Sequence, residues 1–279
     1  MHNDETEKAI KDLVARGIRI PAQPKILIEL RKKLDSDNYS MKDLARIISA
    51  DPGISAMLFK AVRSPVFSGG KDLRSIEQVL MVIGIKQTCN IVQAISLASS
   101  LSDASRKSFE KFWTRSQEVA QIAALIAADR VSVCNIFPDQ AYMAGIFHDC
   151  GVPVLMLRFP EYCNKLNTDS GWPSILEEDH QLGVDHCSIG YLVARHWQLP
   201  DFICQVILHH HEIEIPHEKL GAVRTLVAML ELAIHIYHVI NRTEHQHWRK
   251  IREEVLAELG IHPDLELSFQ EEIAEQFLA

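Results

Sequence analysis

Residues 144–155 read AGIFHDCGVPVL, and the rest of the chain is read outward from them. Pro138 opens an apolar helix through Met143 and Phe147, and His148 and Asp149 follow side by side near its end. An imidazole beside a carboxylate offers two ligands that can serve two neighbouring metals, with the carboxylate bridging. Such a pair activates water and neutralises phosphoryl charge. The plain structural reading is a helix C-terminus closed by an Nδ1 hydrogen bond. With 14 histidines in the chain, one His-Asp neighbour arises nearly by chance.

Other residues bear on the choice. His186 shares a helix face with Ile189, Gly190 and Val193, so it is expected to point inward. A lone inward histidine is more often a satisfied core residue than a ligand. His209, His210 and His211 follow Ile203, Val206 and Ile207. At 100° per residue, His210 continues that apolar face and the other two flank it. Three successive histidines are a stronger metal signal, although imidazolium also suits a helix C-terminus. Glu231 lies between Val227 and Ile234, so a carboxylate borders an apolar stripe and calls for a cation or a hydrogen bond. A rim position beside a Lys or Arg is the alternative.

The remaining signals are helical. Pro24 reads as a first-turn proline ahead of Leu27, Leu30 and Leu34. Ser40 with Asp43, and Ser75 with Gln78, look like capping boxes, and Asp51-Pro52 is an N-cap followed by a first-turn proline. Helices are expected over 86–100, about 104–129, 182–196, 200–211, about 218–240, 249–258 and 268–278. There is no period-2 strand, no Asn-Gly or Asp-Gly hairpin, no P-loop, no GxGxxG and no GxSxG. The fold class is all-α. The plausible subdivision falls near 101–105, giving an N-terminal helical subdomain (1–101), a second helical subdomain (102–240) and a C-terminal extension (241–279).

Composition narrows the class. Lys and Arg number 29 against 37 Asp and Glu, a net charge of −8, which argues against general nucleic-acid binding. The N-terminus, MHNDETEKAI, is polar and acidic and carries no secretory signal. No apolar run reaches the roughly 18 residues a membrane span needs. The six cysteines form no CxxC pair and read as small buried hydrophobes of a reduced, cytoplasmic protein.

The order of segments resembles the HDOD family of bacterial regulators, related to the HD phosphohydrolases, over roughly residues 18–240. The stretches are IPAQPKILIEL (20–30), SMKDLARIISADPGISAMLFKAV (40–62), RSIEQVLMVIGIKQ (74–87), FWTRSQEVA (112–120), AGIFHDCGVPVL, HCSIGYLVARHWQLPDFICQVILHHH (186–211) and TLVAMLELAIH (225–235). The resemblance implies an HD-like helical core behind the N-terminal helical subdomain. It implies metal ligands at His148, Asp149, His186, His209 and His210, and a divalent metal (Fe, Mn, Zn or Mg) where the site functions, or none where it is vestigial. Two positions depart from the HD pattern. The first histidine, expected in Trp-x-His-Ser, is Arg115, and the closing aspartate is Glu231. Arginine stays protonated and has no lone pair for a metal. It is expected to fill the site, pairing with Asp149 or Glu231. The related enzymes that cleave cyclic di-GMP carry a Gly-Tyr-Pro loop after their histidine pair. Here HHHEIEIPHEKL follows, which argues against that activity.

Two functions compete. One is a non-catalytic signal-transduction module that docks onto other signalling proteins, away from membranes. The other is a metal-dependent phosphohydrolase acting through a reduced set of ligands. A helical scaffold whose histidines are purely structural is a third reading.

Overall fold

The computed structural model describes residues 17–18, 22–36, 38–101, 107–167, 172–214, 217–245 and 247–279. Among them every regular element is helical. The N-terminal half holds α1 (Lys25–Leu34), α2 (Met41–Ser49), α3 (Pro52–Val62), the single turn α4 (Pro65–Ser68), α5 (Ile76–Ile83) and α6 (Ile85–Ser100). Then come α7 (Lys107–Cys134), α8 (Pro138–Phe147), α9 (Gly151–Arg158), α10 (Ile175–Leu182), α11 (His186–His196), α12 (Asp201–His209), α13 (His217–Ile240), α14 (Trp248–Glu258) and α15 (Glu266–Leu278).

Side-chain caps set several of these boundaries. Ser40 and Asp43 form a reciprocal capping box at α2, and the Asp51 carboxylate accepts from the Ile54 N–H at 3.0 Å. At α5, Ser75 accepts from Gln78 N–H, but the Gln78 side chain reaches back to Arg74 N–H at 2.8 Å, one residue earlier than a box requires. Pro24 stands at the N-cap of α1 rather than inside its first turn.

The helix expected over 182–196 starts only at His186, and Leu182 instead ends a separate helix, α10, that the sequence reading does not place. Gly183 closes α10 in the left-handed region at φ 61°, and Asp185 caps α11 by accepting from Cys187 N–H at 3.0 Å and Ser188 N–H at 3.3 Å. The restart places His186 and Cys187 in the first turn of α11. The helix expected over 104–129 runs from Lys107 to Cys134, and the subdivision expected at 101–105 falls almost wholly outside the described residues. Helix α9 was not foreseen. Its Pro153 lies in the first turn, where an amide N–H has no intrahelical partner to lose.

The 28-residue α7 is the axis of the core. Phe112, Arg115, Val119, Ile122 and Ile126 share its buried face, and α8 and α13 pack along it. Contact with α8 is close enough that a Cβ on Gly145 would lie 2.4 Å from Ala120 Cα, so only glycine fits. The N-terminal helices join through α6 and α8: Asn90 donates to Asp139 at 2.8 Å, and Phe67 meets Tyr142 edge-on at 5.6 Å. Residues 221–240 of α13 are long and apolar enough to cross a membrane (mean hydropathy 1.5), more apolar than the sequence reading allowed. Two thirds of that stretch (67%) is buried inside the fold, so α13 serves as a core helix.

Candidate metal centre

The site forms where helix ends meet the middle of α7. His148 is the C-cap of α8, and Asp149 and Cys150 make the turn into α9. A Cβ on Gly151 would lie 2.0 Å from the His186 carbonyl oxygen, so glycine lets the start of α9 touch the start of α11. The end of α12 then brings His210 and His211 across. His148, Asp149, His186 and His210 are all at most 4% exposed.

Asp149 is the hub. Its Oδ2 lies 3.0 Å from His148 Nε2 and 3.4 Å from the Arg115 guanidinium, and its Oδ1 lies 3.4 Å from His186 Nε2 and 3.2 Å from His210 Nε2. Burial alone would raise the carboxyl's pKa, but His148, His186 and His210 hold it well below the usual range.

Hydrogen bonds assign the ring tautomers. His148 Nδ1 lies 2.8 Å from the Gly145 carbonyl, His210 Nδ1 lies 2.8 Å from the Ile207 carbonyl, and His186 Nδ1 lies 2.6 Å from Asp179. Carbonyls and carboxylates only accept, so each Nδ1 carries the proton and each neutral ring turns a bare Nε2 toward Asp149. Nε2 of buried His148 accordingly has no hydrogen-bond partner, despite its 3.0 Å approach to the carboxylate. Lone pairs converging on an anion call for a cation. This is the arrangement of metal-ligating histidines, down to the carboxylate behind the ring.

The residues therefore fit a divalent cation on the imidazole side of Asp149. With no metal, protons take its place. Burial opposes charging His186 and His210, yet Asp149 raises both, with Asp179 acting on His186 and Cys187 on each, up to about 12 and about 10. Burial and the charge of His210 push His211 down, and burial lowers His148 despite Asp149. Burial would raise the Cys187 thiol, but contacts with His186 and His210 lower it. The opposite side fits a metal poorly. Arg115 is buried there, its guanidinium 4.4 Å from the centre of the Trp172 ring, where it would repel a dication bound at Oδ2.

Of the residues singled out from the sequence, His148, Asp149, His186, His210 and Arg115 meet. Arg115 pairs with Asp149. His209 does not join them: its ring turns to Glu212, at 3.0 Å, on the outer side of α12. Glu231 is fully buried rather than on a rim. The His245 ring lies 3.6 Å from its carboxylate, but burial lowers the pKa of that ring to about 3, and burial raises the Glu231 pKa to about 7. Cys187 and Asp179 do not figure in the sequence reading of the site, and His211 figures there only as a flank of His210. His211 Nε2 lies 3.2 Å from His186 Nε2, Cys187 Sγ lies 3.5 Å from the same atom, and Asp179 also accepts from His186 N–H at 2.9 Å. Asp179 sits seven residues before His186 across a helix break, a spacing that carries no periodic signal.

Known proteins place this geometry in a family. Residues 20–213 match the model of the HDOD domain. An uncharacterized protein of Treponema pallidum is 23% identical over 82% of this chain and 45% of its own length, and the chain spans less than half of the curated relatives it matches. An HDOD domain protein of unknown function from Geobacter sulfurreducens superposes over 99% of both chains, with TM-score 0.61 and 22% identity. A candidate metal-dependent phosphohydrolase of Shewanella amazonensis superposes over 99% of this chain and 98% of its own, with TM-score 0.68 and 18% identity, which speaks to the shared fold. Since the matched span contains Arg115, Asp149 and the whole imidazole cluster, and the helical architecture extends across the superposed structures, the chain belongs to the HDOD family.

Proposed function

We propose that this chain is a regulatory HDOD module that works through contacts with other signalling proteins rather than by phosphoester hydrolysis. The observation that carries this reading is the buried Arg115–Asp149 pair, 3.4 Å apart. An HD-type hydrolase needs Asp149 free to hold a metal and its water. Here a fixed cation lies against that carboxylate and cannot deliver a nucleophile. We keep the subdivision at 101/102 as part of the proposal, with the N-terminal helices as the surface to test for partners.

A second reading, a phosphohydrolase with a reduced site, draws support from the converging Nε2 atoms of His148, His186 and His210. The experiment that separates them assays untagged protein, with Mn²⁺, Fe²⁺, Zn²⁺ or Mg²⁺ added in turn, against phosphomonoester and phosphodiester substrates. A parallel pull-down uses the full chain. The regulatory reading expects no turnover above that of Asp149→Asn, together with a saturable protein partner. Metal-dependent turnover abolished by Asp149→Asn overturns it.

A further inference from the structure

The donor atoms around His186 do not all belong to the His148–Asp149 pair. His186, Cys187, His210 and His211 each offer one ligand atom, and the four atoms lie within 4.8 Å of one another. His186 Nε2 is 3.3 Å from His210 Nε2, 3.2 Å from His211 Nε2 and 3.5 Å from Cys187 Sγ. A tetrahedral zinc with bonds of about 2.0–2.1 Å to nitrogen and about 2.3 Å to sulfur has N···N edges of about 3.3 Å and N···S edges of about 3.5 Å. The three separations from His186 match those edges, and the remaining ones all lie within 4.8 Å.

No hydrogen bond from His186 can satisfy all of its neighbours at once. With its Nδ1 proton committed to Asp179, His186 has at most one further proton, on Nε2. That atom faces His210, His211, Cys187 and the Asp149 carboxylate, all within 3.5 Å. One proton serves one of the four. A metal ion serves several at once.

We infer that Cys187 is a metal ligand, completing with His186, His210 and His211 a site of three imidazoles and one thiolate for a thiophilic divalent cation, zinc foremost. A thiolate in the donor set disfavours Mg²⁺ and Mn²⁺, which prefer oxygen. The cation would join the first turn of α11 to the end of α12, beside Asp149 but not centred on it. Asp179 is the positioning residue, fixing the His186 tautomer. The inference does not depend on whether the module hydrolyses anything, because its readouts are spectroscopic and chemical.

The test uses full-length protein purified without a histidine tag, stripped with a chelator and titrated with Co²⁺. The expected spectrum has the intense visible bands of tetrahedral cobalt and a near-ultraviolet sulfur-to-cobalt charge-transfer band. Cys187→Ser removes the charge-transfer band and weakens Zn²⁺ binding at least tenfold in competition with a chromophoric chelator. In unmutated protein, Zn²⁺ protects Cys187 from iodoacetamide, as mapped by mass spectrometry, which needs no variant to fold. The inference is overturned if neither metal binds, if cobalt binds without the charge-transfer band, or if zinc leaves Cys187 alkylation unchanged. It is equally overturned if Asp149→Asn abolishes zinc binding while Cys187→Ser does not, since the cation then rests on the His148–Asp149 pair.

Discussion

Replacing Arg115 with methionine keeps most of the side chain's volume and removes its charge. The guanidinium and the Asp149 carboxylate are 7% and 6% exposed and 3.4 Å apart. At that separation the attraction is about 5 kcal/mol for an effective dielectric constant of ~20. Desolvation of both ions offsets part of it. Deleting one partner, however, leaves the other buried and uncompensated, which typically costs about 3–5 kcal/mol. His186 and His210 still touch Asp149 and retain some compensation, so the expected loss is about 3 kcal/mol, the low end of that range. At ~2–4 °C per kcal/mol for a chain of this size, metal-free Arg115→Met should melt roughly 6–12 °C below the parent. Scanning calorimetry of chelator-treated protein measures this. Asp149→Asn and the double variant complete a cycle that isolates the pair from lost packing against Trp172. A melting point within about 2 °C of the parent, or a cycle with no coupling, would refute the pairing argument, since a pair this buried should exceed the usual ~0.5 kcal/mol additivity error.

Other outcomes follow from the same geometry. Gly151→Ala forces a Cβ against the His186 carbonyl at 2.0 Å, so α9 and α11 must separate. Urea unfolding should show a loss of about 3 kcal/mol or more, at or beyond the upper end of ordinary overpacking, and a near-neutral result would contradict the packing. Asp179→Ala strips His186 Nδ1, His186 N–H and the Tyr162 hydroxyl of one shared acceptor. A loss of about 3 kcal/mol in the same assay is expected for several orphaned buried donors; a loss under about 1 kcal/mol would show that the carboxylate is dispensable. Acid should weaken the fold near α13 and α14. Burial first, then the charges of Arg115 and His235, lower His238 from its usual 6.5 to about 4. A depressed histidine contributes stability that is whole above pH 6.5 and disappears as pH falls toward 4. The urea midpoint should therefore drop over that window, less steeply in His238→Gln, and equal slopes in the two proteins would remove His238 from the account.

Much of the helical layout is legible in local signals. Ser40 with Asp43, Asp51 with Pro52, and Pro138 each mark a helix start within a few residues of the event, because a cap acts on amides one turn away. The apolar face of α7 follows from its period, and Arg115 could be placed on it because it falls between Phe112 and Val119. The start of α11 falls at His186 rather than at 182 because Asp185 caps it, a signal that the sequence carries beside Gly183.

Which histidines enter the site was harder to read. His209, His210 and His211 are consecutive, and helix angle alone could not rank the two flanking rings. Helix α12 ends at His209 with His210 still in the right-handed region, and His211 reaches His186 while His209 meets Glu212 outside. Cys187 looked like one more small hydrophobe, because its meaning depends on residues 23 and 24 positions further on.

From the sequence alone came the all-helical class and the His148–Asp149 pair, which rest on residue identity and short-range pattern, while the arginine standing where a ligand is expected came through the resemblance to the HDOD family. The tertiary structure decided that Arg115 answers Asp149 across 34 residues and that His210 reaches the same carboxylate across 61. It also decided which ring nitrogens face Asp149. Those facts depend on how five helices pack, down to a glycine that lets two helix ends touch. Packing is a property of the whole core, which no short window of sequence contains.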